Sequence, residues 1–159
     1  MQIQIIAIGR IREAYLKEGI EVYRIRLSRW HKILITDLAE ERIAETCSDT
    51  EKQKAKEKEG KRLIAAAPDK TVGVALDPGG EMLSSTDLSA RLAQWELKGL
   101  GHISFFIGGP LGLSPAVTRH ADLVLSLSRM TFPHQLVRLI LIEQIYRAEC
   151  ISRGIPYHK

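Results

Sequence analysis

The chain has 159 residues and a net charge of +4, with 45% hydrophobic and 26% charged residues, the usual proportions of a soluble globular protein. No apolar run approaches the roughly 20 residues of a membrane span, and the N-terminus lacks a secretory signal. Cys47 and Cys150 share no disulfide or metal motif, which fits a reducing compartment. We therefore expect one cytoplasmic domain over residues 1–159, without a membrane or metal partner. The positive charge permits nucleic acid as a partner but does not require it.

The first half of the chain alternates between strand-like and helix-like spacing of apolar residues. Residues 2–8 are apolar at nearly every position by their end, which is typical of a strand buried on both faces, and Gly9 ends it. Apolar residues at helical spacing predict a helix over residues 12–29. Residues 33–37 predict a second strand.

The charged segment over residues 40–59 admits two interpretations. Asp49 is a candidate N-cap for a helix there. One interpretation is a solvated helix with paired charges. The other is a surface that presents lysines to RNA phosphates. The sequence leaves both interpretations of this segment open. The charged side chains concerned are Lys52, Lys54, Lys56, Lys58, Lys61, Glu51, Glu57 and Glu59.

The second half continues the alternation and ends in the most apolar helix of the chain. Residues 77–80 (Asp-Pro-Gly-Gly) predict a turn, because proline presets φ and glycine permits a positive φ. Ser84 or Ser85 is a candidate cap for a helix that ends at Leu97. The remaining predicted elements are strands over 71–76, 102–107 and 123–125, a short helix opened by Ser114–Pro115, and a helix over 133–152. Strands that alternate with helices indicate an α/β domain with a mainly parallel sheet.

Three loops leave the carboxyl ends of predicted strands, where open parallel sheets bind ligands. They are residues 76–80, 108–112 and 126–134. The glycine loop at 108–112 lacks the lysine of a phosphate-binding P-loop and the spacing and acidic partner of an NAD site. A cofactor without phosphates fits better, held by backbone groups and by apolar walls from Leu76, Leu127, Met130 and Phe132. The alternative is that the glycine loop is only a tight turn and that Met130 and Phe132 are core residues.

Several polar residues near the C-terminus have more than one interpretation. Arg138 interrupts an apolar helix and needs a carboxylate partner, which another chain could supply. Glu143 and Arg147 lie four residues apart and predict a pair on one helix. His134 is a candidate cap for the last helix. The tail over residues 157–159 (Tyr-His-Lys) is either disordered or able to stack on a base and bind its phosphate.

Four stretches of the sequence together resemble the ribosomal RNA large-subunit methyltransferase H family, and the resemblance extends over the whole chain. They are Ile107–Leu113, Leu125–Arg138, Glu143–Ala148 and Pro156–Lys159. That family belongs to the SPOUT class. The resemblance implies a SPOUT-type α/β knot, with a mainly parallel sheet, helices on both faces, a C-terminal trefoil knot and a homodimer. It also implies the use of S-adenosyl-L-methionine for N3-methylation of a pseudouridine in the helix 69 loop of 23S rRNA, on the assembled 70S ribosome.

The resemblance also implies site residues. The family's cofactor positions correspond here to Leu76, Gly108, Leu127, Ser128, Arg129, Met130, Thr131 and Phe132. The catalytic groups are inferred. Tyr157 or His158, from the partner subunit's tail, would orient the base or accept its proton, and Arg129 or Arg138 would stabilise developing negative charge. Two alternatives are a related knotted tRNA methyltransferase and a ribosome assembly factor without catalysis.

Overall fold

The computed structural model describes all of residues 1–159. Five strands alternate with five helices, which confirms the predicted α/β organisation. The elements in chain order are β1 (Gln2–Ile8), α1 (Ala14–Leu27), β2 (Lys32–Leu38), α2 (Asp49–Ala65), β3 (Val72–Met82), α3 (Ser85–Leu97), β4 (His102–Ile107), α4 (Pro115–His120), β5 (Leu123–Ser126) and α5 (His134–Ser152). None of these helices is both long enough and apolar enough to cross a membrane.

The strands form one sheet in the order β2-β1-β4-β3-β5, and every neighbouring pair is parallel. On β1, which is an inner strand of this sheet, Ile3 pairs with Ile33 of β2 on one side and with Ile103 of β4 on the other. Because all strands point the same way, the loops that follow them meet at one edge. This carboxyl edge is where parallel sheets bind ligands.

Both faces of the sheet are buried, which explains why β1 is apolar at successive positions. Ile3 and Ile5 belong to the larger core cluster, together with residues of α1, α3 and α5. Ile6 and Ile8 point to the other face, where they pack with residues of α2 and α4. Complete burial of each such side chain stabilises the fold by about 1.5–3 kcal/mol. The prediction of helices on both faces is confirmed.

Serine, and not aspartate, caps the N-terminus of the charged helix α2. The hydroxyl of Ser48 accepts a hydrogen bond from the Glu51 amide at 3.2 Å, and the Ser48 amide donates to Glu51 Oε2 at 2.8 Å. This reciprocal capping box needs the N-cap residue three positions before its partner. Asp49 is therefore the first helical residue, and its predicted capping role was wrong. Ser84 caps α3 in the same way with Asp87, as predicted.

The lysines of α2 do not form the ion pairs that the solvated-helix interpretation assumed. None of Lys52, Lys54, Lys56, Lys58 and Lys61 takes part in a salt bridge. Four of the five are exposed, and Lys56 is half-buried. The five lysines of α2 therefore have no paired charges, and contact between them and RNA stays a prediction.

The predicted turn at residues 77–80 is a bulge within a longer strand. Leu76 and Glu81 both pair with Leu125 of β5, so the four residues between them are extra residues on one side of the ladder. A Cβ at Gly80 would lie 2.5 Å from the carbonyl oxygen of Val124, which makes glycine the residue that fits there. The segment keeps a local turn contact, because Asp77 Oδ1 accepts a hydrogen bond from the Gly79 amide at 2.8 Å, but it lies within the range over which β3 pairs with β5.

Candidate cofactor site

A cavity of about 350 Å³ lies at the carboxyl edge of the sheet. Its lining is drawn from residues 76–78 after the regular part of β3, from the loop at 107–113 after β4, and from residues 125–137, which include the start of α5. These are the three loops that the sequence placed at strand ends. The parallel sheet brings them together because β3 lies between β4 and β5.

Seven of the eight predicted cofactor residues lie in the wall of this cavity. They are Leu76, Gly108, Leu127, Ser128, Met130, Thr131 and Phe132. The eighth, Arg129, is exposed and does not line the cavity. The residues are thus brought together as the strand-end argument expected, and their binding of a cofactor stays a prediction.

The glycine loop is both a tight turn and a wall of the cavity. The Gly112 amide donates to the Gly109 carbonyl at 2.9 Å, and Gly112 has a φ of +79°, which favours glycine. A Cβ at Gly108 would lie 2.7 Å from the carbonyl carbon of Gly112. The loop therefore closes on itself only without a side chain at Gly108, and this leaves backbone at the cavity surface.

Serine hydroxyls fix the second loop, over residues 127–133. Ser126 Oγ donates to the carbonyl oxygen of Ser128 at 3.0 Å, and Ser128 Oγ accepts from the Met130 amide at 3.0 Å. Such local bonds hold a short loop in one conformation. Met130 lines the cavity although it is 74% exposed, so its interpretation as a core residue was wrong.

The cavity wall contains no lysine or arginine, and Asp77 is its only acidic residue. Burial and the nearby Arg138 lower the pKa of His134, so this imidazole stays neutral at neutral pH. A phosphate would need cationic or paired amide donors, whereas this lining is mainly apolar. The site therefore suits a ligand with apolar and weakly polar surfaces. No group of three or more His, Cys, Asp or Glu side chains is arranged to hold a metal ion.

Eleven of the 18 lining residues were not among the predicted cofactor positions, and three of these are Asp77, His134 and Val137. Asp77 follows a strand end, so its position was the available signal. His134 was considered only as a helix cap. It makes no capping hydrogen bond, and the N-cap position of α5 is Pro133. Val137 is one turn into α5, and nothing in the sequence separates it from neighbouring apolar residues.

Arg138 finds its carboxylate within its own chain, and not in another chain. Its Nη1 donates to Asp37 Oδ1 at 2.6 Å, and its Nη2 donates to the carbonyl oxygens of Ile8 and Gly9 at 3.0 and 2.7 Å. The side chain is 1% exposed and does not line the cavity. Direct contact with a substrate does not fit this position. Arg138 instead fastens α5 to the carboxyl ends of β1 and β2.

The C-terminal tail folds back onto α1 and α5. The Tyr157 hydroxyl donates to Glu143 Oε1 at 3.0 Å and lies 3.2 Å from the Tyr23 hydroxyl. Its ring packs edge-on against Tyr146, with the centroids 4.9 Å apart. Disorder was therefore the wrong interpretation for Tyr157. The predicted pair of Glu143 with Arg147 is confirmed at 2.6 Å.

These contacts also set the chemistry of the tail. Burial and the hydrogen bonds to Tyr23 and Glu143 raise the pKa of Tyr157 well above the usual value for tyrosine. The phenol therefore stays protonated at neutral pH and acts as a hydrogen-bond donor. His158 is exposed, with its Nδ1 3.5 Å from Arg147 Nη1.

None of the four predicted catalytic residues lines the cavity of its own chain. Tyr157 and His158 lie beside the middle of α5, at Glu143 and Arg147. The cavity lies at the start of that helix. Arg138 is buried, and Arg129 is exposed just outside the lining. A site that combines this cavity with the tail therefore needs a second copy of the chain.

The fold and the cavity define a parallel α/β protein with a mainly apolar cavity at the carboxyl edge of its sheet. Residues 1–158 match the family described as "Predicted SPOUT methyltransferase". The ribosomal RNA large subunit methyltransferase H of Bifidobacterium animalis subsp. lactis is 49% identical over 159 residues, which cover 100% of both chains. The protein of that name from Heliobacterium modesticaldum is 49% identical over 160 residues, or 100% of this chain and 99% of its own.

A third relative of that name, from Listeria welshimeri, is 45% identical over 159 residues and 100% of both chains. The chain therefore belongs to the SPOUT methyltransferase family, in the group of ribosomal RNA large-subunit methyltransferase H proteins.

Proposed function

We propose that this protein transfers a methyl group from S-adenosyl-L-methionine to N3 of a pseudouridine in the helix 69 loop of 23S rRNA. The substrate is the assembled 70S ribosome in the cytoplasm. The enzyme is a homodimer in which residues 1–159 form one SPOUT domain with a C-terminal trefoil knot. The observation that carries the proposal is the cavity without cations, built from the loops that resemble the family's cofactor positions.

The residues of the cavity fit a cofactor of this kind. Leu76, Leu127 and Phe132 supply apolar walls for an adenosine, and the glycine loop offers backbone without a Cβ in the way. The single carboxylate, that of Asp77, favours a ligand that carries positive charge. When bound, the cofactor supplies an electrophilic methyl group on a sulfonium.

The remaining chemistry falls to side chains. The N3 proton of the pseudouridine must leave as the bond to carbon forms, so a base has to accept it. The raised pKa of Tyr157 keeps its phenol protonated, so Tyr157 does not accept the N3 proton. Its role is to orient the pseudouridine ring. His158 of the same tail is the proton acceptor. Arg129, exposed beside the cavity, stabilises the negative charge on the ring.

The substitution Gly108→Ala tests the cavity. The new Cβ would overlap the Gly112 carbonyl, and such overpacking costs about 1–3 kcal/mol. We expect the affinity for S-adenosyl-L-methionine, measured by calorimetry, to fall about 5- to 150-fold. Gly101→Ala is the matched control, because a Cβ there meets no atom within 4 Å. Unchanged affinity in Gly108→Ala contradicts the assignment of this cavity.

The single domain proposed for residues 1–159 suggests a preference for the assembled ribosome. Its helices and strands belong to one α/β arrangement, so recognition by these residues depends on a surface with a defined shape. We expect methyl transfer to 70S particles that lack the modification to exceed transfer to a naked helix 69 hairpin by about 100-fold, or about 2.7 kcal/mol. The readout is incorporation of labelled methyl, located in the rRNA by mass spectrometry.

The same assay separates the alternatives. Equal rates on the hairpin and on 70S particles contradict the requirement for assembly. Methylation of tRNA in place of ribosomes identifies the related tRNA class. A protein that binds ribosomes but shows no calorimetric binding of S-adenosyl-L-methionine is a non-catalytic assembly factor.

A further inference from the structure

A second and larger groove lies next to the cofactor cavity. Its volume is about 1210 Å³, more than three times the 350 Å³ of the cavity. It runs between the loop that joins β1 to α1 and the loop that joins β2 to α2. His134 lies in the walls of both the cavity and the groove. The cavity and the groove are therefore adjacent at His134.

The groove is lined by four cationic side chains, which are Arg10, Arg12, Lys17 and Arg42. Their placement follows from the sequence. Ile11 is buried at 8% exposure in the larger core, so its neighbours Arg10 and Arg12 are exposed on the groove. Lys17 comes from the first turns of α1 and Arg42 from the loop before α2. Three separate segments thus place positive charge on one concave surface.

The four cations of this groove have no carboxylate partners. None of Arg10, Arg12, Lys17 and Arg42 takes part in a salt bridge. The groove also contains Glu40 and Glu41. Glu41 is neutralised by an ion pair with Arg62, which leaves Glu40 as the one uncompensated carboxylate. The groove is therefore positively charged overall, in contrast to the cavity, which has no lysine or arginine.

We propose that this groove binds the phosphate backbone of the RNA strand whose target base enters the cofactor cavity. The proposal rests on the proposed function, because it takes RNA as the substrate. Guanidinium groups bind phosphate oxygens with two parallel hydrogen bonds. Several cations spaced along an open groove match the repeated charge of a nucleic-acid strand. The division of charge assigns the base to the cavity, which has no lysine or arginine, and the flanking phosphates to the groove.

The double substitution Arg10→Gln with Arg12→Gln tests this assignment through binding alone. Two ligands are titrated at several salt concentrations without cofactor: 70S ribosomes and a single-stranded RNA oligonucleotide. We expect affinity for both to fall about tenfold near 0.1 M salt. The slope of log K against log salt should decrease by about 0.7 for each arginine that contacts a phosphate. Calorimetric affinity for S-adenosyl-L-methionine stays unchanged, which shows that the variant is folded.

The control is Lys70→Gln with Lys98→Gln. Both lysines are exposed and lie at the opposite, amino edge of the sheet, just before β3 and just after α3. This variant removes the same charge and should keep the affinity and the salt slope of the wild type. If this control loses as much RNA affinity as the groove variant, the loss is caused by the change in net charge. That result overturns the proposal.

Other results also overturn the assignment. Wild-type affinity and slope in the groove variant reject it directly. Weaker binding to ribosomes with unchanged binding to the oligonucleotide shows that the groove does not bind a single-stranded phosphate backbone, and it overturns the proposal. If Lys54→Gln with Lys58→Gln alone weakens RNA binding, the face of α2 is the RNA surface. Because these are binding measurements, absence of methyl transfer by the wild type rejects the proposed function separately.

Discussion

Replacing Arg138 by methionine is expected to lower the free energy of unfolding by about 3–4 kcal/mol. Methionine keeps much of the side-chain length, so the loss of free energy of unfolding comes mainly from the polar contacts that are removed. The substitution removes the ion pair with Asp37 and leaves the carbonyl oxygens of Ile8 and Gly9 without their donor. Buried acceptors without partners cost about 1–3 kcal/mol each. The measurement is urea unfolding at a fixed protein concentration, because dimers change stability with concentration.

A surface pair provides the matched control. Arg24 binds Glu21 at 2.6 Å, but these side chains are 39% and 50% exposed. Arg24→Met should therefore cost at most about 1 kcal/mol. The loss of free energy of unfolding for Arg138→Lys should lie between the losses for Arg138→Met and Arg24→Met. A lysine ammonium lacks the planar fork with which the guanidinium reaches one carboxylate and two carbonyls together. A loss below about 1 kcal/mol in Arg138→Met contradicts a clamping role.

This clamp shows where sequence reasoning stops. The apolar surroundings of Arg138 indicated that its charge needs a carboxylate, and that inference holds. Asp37 lies 101 residues earlier in the chain, and no local pattern connects the two. The partner is set by the parallel packing of β1 against β2 beneath α5. Contacts of this kind depend on the whole fold, and so the expectation of a partner from another chain was wrong.

The sheet itself was accessible from the sequence, because burial on both faces leaves nearly continuous apolar runs. The alternation of Ile3 and Ile6 between two cores is the physical basis of that signal. Local chemistry was less informative where a neighbouring element competes. The residues of 77–80 favour a turn, yet pairing with β5 makes them a bulge. The position of the cavity followed from topology alone, since parallel strands bring their following loops to one edge.

The cavity and the tail lie apart within one chain, and this separation leads to a prediction about the activity of mixed dimers. Tyr157 and His158 contact residues in the middle of α5, and the cavity lies at the start of the same helix. If the tail acts on the cavity of a second copy, each active site is built from two chains. A dimer with two-fold symmetry then has two such sites, each dependent on both subunits.

Mixed dimers show whether each tail acts on the cavity of the other subunit or on the cavity of its own chain. Gly108→Leu fills the proposed cofactor cavity, and His158→Ala removes the proposed proton acceptor from the tail. Loss of a general base lowers rates by about 100- to 10,000-fold, so we expect each variant alone to be nearly inactive. A mixed dimer, purified through two different tags, combines one intact cavity with one intact tail from the other chain. It should recover about half of the wild-type rate on 70S particles.

The opposite arrangement has a different signature. If each tail served its own cavity, a mixed dimer would contain no complete site and would be as inactive as its parents. His120→Ala, at an exposed histidine of α4, is the control. It should keep full activity alone and give about half of the wild-type rate when paired with Gly108→Leu, because that dimer has one intact cavity. Full single-turnover methylation by His158→Ala at saturating ribosome removes His158 from the chemistry. Recovery in the mixed dimer depends on the tail crossing between subunits, because neither parent chain then carries a complete site.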